Sequence, residues 1–393
     1  MIKNINTDYF FIAIVFLLLI SFGCTKNEPN EIQKDTFVKL FGGAYENLAV
    51  DFIKDEESYY LLGNTFNSEE KSNIRLIKTD EFGNRVWEHD FLKDDKQTLG
   101  YRIIKLKKQQ GIAILGSVET DNDSLFYDVY LLVVDNEGNV LWDKVYNRIN
   151  NEYGRCIAEL EDGGFTLSAV SKSKNQTEID SLIFFPVDNT GNPKLLYPTI
   201  IKGDEIYNIC KKQDNKGYYI TAKTGSVPEI VILNKEGTKS GILKFSSIQG
   251  TIIGLAQDNN SNTYVCGMID RGENGDNDTF IAKLKNADES IDYDWLKEFG
   301  KQGNDKLNNI VVTSNNEILG TGNIENNILQ TYNIYVLKTD LNGNVISKSE
   351  FGGADNEYGI NIIDIDDRFV IEGISCLEKN SMITLLKDNF KTE

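Results

Sequence analysis

The sequence predicts an all-β protein, a seven-bladed β-propeller with four antiparallel strands per blade and a last blade completed by the N-terminal strand. Three observations carry this. First, a unit of apolar strand, Asp-x-x-Gly-Asn turn and second strand recurs about every fifty residues, the signature of a repeat architecture. The clearest copies are IRLIKTDEFGNRVWEHDF (74–91), YLLVVDNEGNVLWDKVY (130–146) and YVLKTDLNGNVISKSEF (335–351), with looser ones at 182–197, 230–245, 280–299 and 382–390. Second, each period holds four short apolar runs bounded by Gly, Asn and Asp, and none shows the i, i+3, i+4, i+7 spacing of a helix. Third, the last period stops one strand short, and a matching piece stands at the other end of the chain.

In the first blade LAVDFIKD (48–55) turns at Glu56-Glu57 into SYYLLGNTF (58–66). The loop NSEEKSN (67–73) then leads to IRLIKTD (74–80), the turn Glu81-Phe82-Gly83-Asn84 and RVWEHDF (85–91). The turn has a mechanism: Asp bonds the amides ahead of it, and Gly takes the positive φ of a tight hairpin. The second blade repeats this at 101–107, 111–118, 130–135 and 140–146, and the third at 155–160, 164–170, 182–188 and 194–200. The fourth has strands at 206–212, 217–223, 230–234 and 242–245, the fifth at 251–257, 263–269, 280–285 and 294–299. The sixth follows at 308–314, 317–323, 335–340 and 345–351.

The seventh supplies only 360–366, 368–375 and 382–388. Its missing outer strand is expected from TFVKLFGG (36–43), which is comparable with KSEFGG (348–353). Closing a ring this way removes free sheet edges, which otherwise invite aggregation. The turns rely on Gly, Asn and Asp, as hairpin connections do, and the chain has only five prolines. A parallel β-helix would need shorter rungs.

The N-terminus stands apart. Lys3 precedes the apolar run FFIAIVFLLLI (10–20) and then SFGC (21–24). The run is shorter than the roughly 20 residues that span a bilayer and fits the apolar region of a secretory signal. The Cys directly after it resembles a bacterial lipoprotein signal, with Ser21 and Phe22 departing from that motif's usual residues. The resemblance implies cleavage after residue 23, a lipidated Cys24 as new N-terminus, a flexible tether over 24–35 and the propeller over 36–393. Two acyl chains would anchor the protein stably. With Thr25 after the Cys, the same resemblance implies sorting to the outer membrane of the cell envelope. An uncleaved anchor, or a plain signal with an incidental Cys, is the alternative.

Composition is ordinary for a globular chain, 40% hydrophobic and 26% charged. A formal net charge of −19 favours solubility and opposes binding to nucleic acid or anionic lipid. Membrane contact is therefore expected through the lipid anchor alone, and the protein is expected to be a monomer. Cys156, Cys210, Cys266 and Cys376 are scattered without metal spacing. When blades three and four are aligned, Cys156 and Cys210 fall one residue out of step, so mostly free, buried thiols are expected.

The set of Phe-Gly-Gly, Asp162-Gly163-Gly164-Phe165 and Lys-x-Asp-x-x-Gly-Asn-x-x-Trp, as at Lys78 to Trp87, covers nearly all of 36–390. It resembles bacterial secreted and lipoprotein propellers with repeats of about fifty residues. The resemblance implies fold and envelope location and says little of activity.

Candidate chemistry is sparse. Long, unlike loops at 117–128, 171–180, 270–278 and 323–333 belong to one face of the ring, the expected binding face. Acidic residues recur near the starts of innermost strands, at Glu46, Glu152, Glu205, Asp305 and Glu357. They form either an acidic mouth or, as repeated positions usually do, hydrogen bonds between blades. DNEYG (355–359), NNEYG (150–154) and GDNDTF (275–280) hint at calcium without a full ligand set. His89 is the one histidine, which excludes multi-histidine zinc sites and disfavours a Ser-His-Asp triad. It reads as an exposed strand residue beside Trp87. A quinone-dehydrogenase propeller would carry a Trp in nearly every blade; here only Trp87, Trp142 and Trp295 occur, which read as packing between blades. No catalytic residue, metal site or cofactor emerges.

The functional expectation is a lipid-anchored envelope propeller acting as a non-enzymatic binding or scaffold module for a protein or glycan. An envelope polysaccharide hydrolase or lyase working from the long-loop face is the alternative. A purely structural role in envelope assembly is a third reading.

Overall fold

Seven four-stranded antiparallel sheets follow one another along the chain, at 47–91, 98–146, 151–202, 205–244, 250–299, 306–351 and 356–389. They are blades one to seven. The computed structural model describes residues 36–389 apart from 121–122, 148–149, 174–179, 246, 271–276, 286–291, 366–367 and 378–379. The expected signal peptide, tether and Cys24 lie outside the described residues.

The seventh sheet is closed by the N-terminal strand. Phe37–Phe41 pairs antiparallel with Asn380–Asn389, Phe37 opposite Lys387 and Phe41 opposite Ile383. Each blade's first strand lies against the first strand of the next, and Asn356–Ile365 of the last lies against Asn47–Asp55 of the first. The result is a closed seven-membered ring with a composite blade, as the repeat predicts.

Burial follows from the ring. The second and third strands of a blade are covered by neighbouring blades on both faces, so Ser58–Phe66 and Ile112–Thr120 are almost wholly buried. The outermost strands are largely open to solvent, as in Arg85–Phe91 and Val140–Tyr146, where a buried aromatic ends an otherwise exposed or half-exposed run. The apolar cores are shared between blades rather than enclosed within one. Leu115, Leu131 and Val133 of the second pack with Phe165, Leu167 and Ile183 of the third. Phe41 and Ile383 of the seventh pack with Leu61 and Ile77 of the first.

The Asp-x-x-Gly-Asn turns form as their residues dictate. Asp80 Oδ1 accepts the amides of Phe82 (3.0 Å) and Asn84 (2.8 Å), and Asn84 Nδ2 donates to Asp80 Oδ2 at 2.9 Å. Asp135, Asp188 and Asp340 do the same for their own turns. Gly138 adopts φ 84° and serves a second purpose. A Cβ there would lie 2.4 Å from His89 and 3.2 Å from the Trp87 indole of the preceding blade. Gly191 stands likewise on Trp142, Gly343 on Trp295, and Gly83 on Phe37 of the composite blade. These four turns are thus flat seats for an aromatic of the preceding blade, whereas Gly237 of blade four lies on Thr166 and Leu160.

One strand departs from expectation. Residues 194–200 read as the outer strand of blade three, but the strand is Thr199–Lys202. Pro193 and Pro198 bracket the intervening stretch, and proline cannot donate to a ladder. Lys194 instead turns its amine to Asp162 (2.5 Å), and Leu196 and Tyr197 stand 87% and 78% exposed.

Candidate functional site

A β-bulge interrupts every innermost strand, at Val50, Tyr101, Arg155, Tyr207, Ile253, Asn308 and Ile360. A bulge inserts one residue and bends the strand, re-aiming its side chains. All seven bulged residues line one cavity of about 300 Å³ at the ring centre, on the long-loop side.

The residues just after the bulges close the channel beneath it. Asn361 Nδ2 donates to Asp51 Oδ1 (2.6 Å), Asn309 Nδ2 to Asn361 Oδ1, and Asn208 Nδ2 to Asn309 Oδ1 (3.1 Å). Arg102 lies 3.6 Å from Asp51 and donates to the Tyr207 carbonyl at 2.7 Å. Asp51 Oδ2 also accepts the Ile103 amide at 3.1 Å. Burial pushes the Asp51 carboxyl up, while Arg102 and the amides pull against it. This polar belt is a floor shared with a second cavity, of about 690 Å³, on the short-turn side. The charges at that second mouth are largely engaged: Lys105 with Asp55 at 2.6 Å, and Glu159 with the amides of Lys107 and Lys108.

The acidic residues near the strand starts do not form an acidic mouth. Asp305 accepts amides from Lys301 (2.6 Å) and Glu325 (2.9 Å), Glu357 accepts the Gly353 amide (3.2 Å), and Glu152 accepts the Ser171 hydroxyl (3.2 Å). Burial raises the carboxyls of Asp305 and Glu357. Glu205 is one register position out of step with these and pairs with Lys172 (3.1 Å) and Arg155 (3.4 Å). Glu46 is exposed, and its carbonyl accepts the Phe66 amide. Repeated acids therefore serve repeated structure.

The calcium-like segments have the same explanation. Asn151 accepts the Tyr127 amide and Asn356 the Tyr332 amide, each at 2.9 Å, tying a third strand to the next blade's first. Residues 275–276 of the third such segment lie outside the described residues. Among the described residues no cluster of three or more metal-ligating side chains exists. His89 is exposed beside Trp87, their ring centroids 4.9 Å apart. All four cysteines from Cys156 onward are free thiols; Cys156 and Cys266 are buried, Cys210 and Cys376 half-buried. Burial pushes Cys210 up to about 11 and Cys266 to about 12.

What sequence reading missed is a pair of matching tyrosine stacks. Tyr127 and Tyr153 lie 5.6 Å apart with planes at 33°, Tyr332 and Tyr358 5.5 Å apart at 34°. A signal was available: Asn-Glu-Tyr-Gly occurs at both 151–154 and 356–359, with a Tyr at the same distance upstream of each. In the first stack Arg155 caps Tyr153 and also lies over Tyr101, its guanidinium 4.5 Å from the Tyr101 centroid. The second opens into a recess of about 450 Å³ that also holds Lys306 and Asn323.

The chain matches no protein-family model and no curated protein. Solved structures are similar to it over most of its length. They include the Dos1 propeller (14% identity, TM-score 0.51, 83% of this chain and 74% of that one). A puromycin hydrolase is similar at 9% identity and TM-score 0.55 over 85% of this chain, which spans only 52% of that enzyme. The β-propeller domain of the Trilobed protease from Pyrococcus furiosus is similar at 10% identity and TM-score 0.50, over 89% and 97% of the two chains. At such identities the likeness establishes a shared fold; function has to be argued from the site.

Proposed function

We propose that the protein is a lipid-anchored envelope propeller, held at Cys24, that works as a non-enzymatic binding or scaffold module for a protein or glycan. The observation that carries the binding role is the long-loop side of the ring. It presents a cavity lined by all seven bulged residues, flanked by half-buried tyrosines, over a floor closed by the Asp51 to Asn361 belt. Half-buried tyrosines and a few placed polar groups on rigid strands suit recognition. The carboxylates nearest this mouth spend their oxygens on amides, a hydroxyl or cations, which favours binding over acid–base chemistry. The anchor is supported by the apolar run ending at Cys24.

The test has two arms. Radiolabelled palmitate should enter the wild-type protein and not Cys24→Ser, which should leave the membrane fraction; retention of Cys24→Ser in membranes would sink the anchor. The full chain should bind envelope polysaccharide or protein and leave it intact. New reducing ends or unsaturated sugar products would instead establish the hydrolase or lyase reading.

A further inference from the structure

The two tyrosine stacks are built by one device, yet they differ in what faces them. The Tyr127–Tyr153 stack is satisfied from within: Arg155 lies 5.6 Å from the Tyr153 centroid and 3.4 Å from Glu205. At the Tyr332–Tyr358 stack the recess is open; Asn304, Asp305 and Asn308 are engaged within the protein, and two polar side chains of its lining are not. Lys306 and Asn323 are register partners on adjacent strands of blade six, so their side chains share a face. Among the described residues neither the Lys306 amine nor the Asn323 carboxamide has a hydrogen-bond or ion-pair partner, although Asn323 is only 9% exposed. Burial alone lowers the Lys306 amine from its usual range, with no carboxylate holding it up. The neighbouring Asp305 has both oxygens on backbone amides and does not offset it.

A cation and an amide without a protein partner in an open recess are free to take up the acceptors of a ligand. The remaining lining defines the ligand. Two tyrosine rings stand at one side, and Met268 and Ile360 supply apolar surface. The volume of about 450 Å³ falls in the range of small-molecule sites. The required ligand has one anionic group, a hydroxyl within reach of it, and a saturated ring whose C–H face lies on an aromatic.

We propose that this recess binds a uronate residue of a glycan, its carboxylate on Lys306, a hydroxyl on Asn323 and its ring against Tyr332 and Tyr358. The inference rests on the binding-module reading and narrows it to acidic sugars. A peptide carboxylate would satisfy the amine alone and leave the tyrosine stack and Asn323 without a match.

Titration calorimetry on the full chain tests it, with oligomers of galacturonate, mannuronate and glucuronate as probes and neutral oligosaccharides of equal length as controls. At least one uronate oligomer should bind, more weakly as salt rises. Lys306→Met and Tyr358→Ala should each weaken it at least tenfold, whereas Arg85→Met, at an exposed cation on the outer strand of blade one, should leave it unchanged. Lys306→Met should also melt no lower than wild type at pH 7, because the amine it removes is half-buried and unpaired. Should that variant unfold, Asn323→Ala decides by the same tenfold criterion. Equal affinity for neutral oligomers, or undiminished uronate binding by the variants, would overturn the proposal. Binding of peptides or neutral glycans with none of any uronate would overturn it while leaving the binding module standing.

Discussion

Asn361 donates its side-chain amide to Asp51 across 2.6 Å, joining residues 310 positions apart. The bond spans the seam between last and first blades at the channel wall, while the pairing of Phe37–Phe41 with Asn380–Asn389 closes the last blade at its outer edge. One polypeptide is thus tied to itself near both rims of the ring.

The inner tie should be measurable. Asn361→Ala removes the donor to the buried Asp51 and the acceptor for Asn309. Leaving buried polar partners unmatched costs about 2 kcal/mol. Urea unfolding should show a lower midpoint with unchanged slope; an unaltered midpoint would mean the belt contributes nothing to closure.

The outer tie is expected to matter more. Deleting residues 36–43 strips the edge from Asn380–Asn389 and uncovers Ile383 and Leu385 of the shared core. The exposed edge is a template for pairing with another chain. Thermal unfolding should shift down sharply and light scattering should rise; an unchanged melting curve would refute the composite blade.

The turn glycines provide a graded test. Gly138→Ala places a methyl group at φ 84° and into the His89–Trp87 contact. The left-handed conformation alone costs roughly 1–2 kcal/mol for a residue with a Cβ, and the clash adds to it. Gly343→Ala should behave alike on Trp295, whereas Gly225→Ala, at φ 60° with nothing within 4 Å, should show the conformational cost alone. Equal effects at the three positions, by denaturant titration, would show that seating the aromatic is not why glycine stands there.

Stability should depend on pH from both sides. Glu372 is fully buried across from Asn361, where equivalent strands carry Leu62, Leu115, Ser168, Thr221, Cys266 and Thr321. Burial, reinforced by Asp51, holds its carboxyl well above the ordinary 4.5. The folded chain therefore keeps a proton that the unfolded chain releases, and stability falls as pH rises from 4.5 through the folded value. Glu372→Gln should flatten that fall and melt higher than wild type at pH 8 but not at pH 4. Asp188 is the opposite case: amides of Asn192 and Thr190 and the Thr190 hydroxyl lower it from 3.8 to about 2. Its contribution is present above 3.8 and lost as pH drops through about 2, so Asp188→Asn should soften the acid limb alone. Melting temperatures across pH 2–9 for the three proteins decide both signs.

Much of the fold was legible because its determinants are local. An Asp80 carboxylate reaches amides two and four residues ahead, so the turn is written in five consecutive letters. The four runs between turns alternate or stay apolar according to how many blades cover them, and the unpaired seventh unit pointed to Phe37–Phe41. Where prolines interrupt the ladder, at Pro193 and Pro198, the same reading misplaced a strand.

By itself, then, the sequence determined the ring: seven units, their turns, and a borrowed strand, all from signals spanning a few residues or repeating at one period. What the ring presents to its surroundings depends on contacts between blades. The bulge that sends Tyr101 and Arg155 to the channel mouth depends on cross-strand register. The belt of Asp51, Asn208, Asn309 and Asn361 joins four blades, and the meeting of Lys306 with Tyr332 and Tyr358 joins two, through packing that no short segment encodes. Turn geometry follows from hydrogen bonds within one hairpin; the shape of a surface recess follows from the angle at which separate hairpins meet.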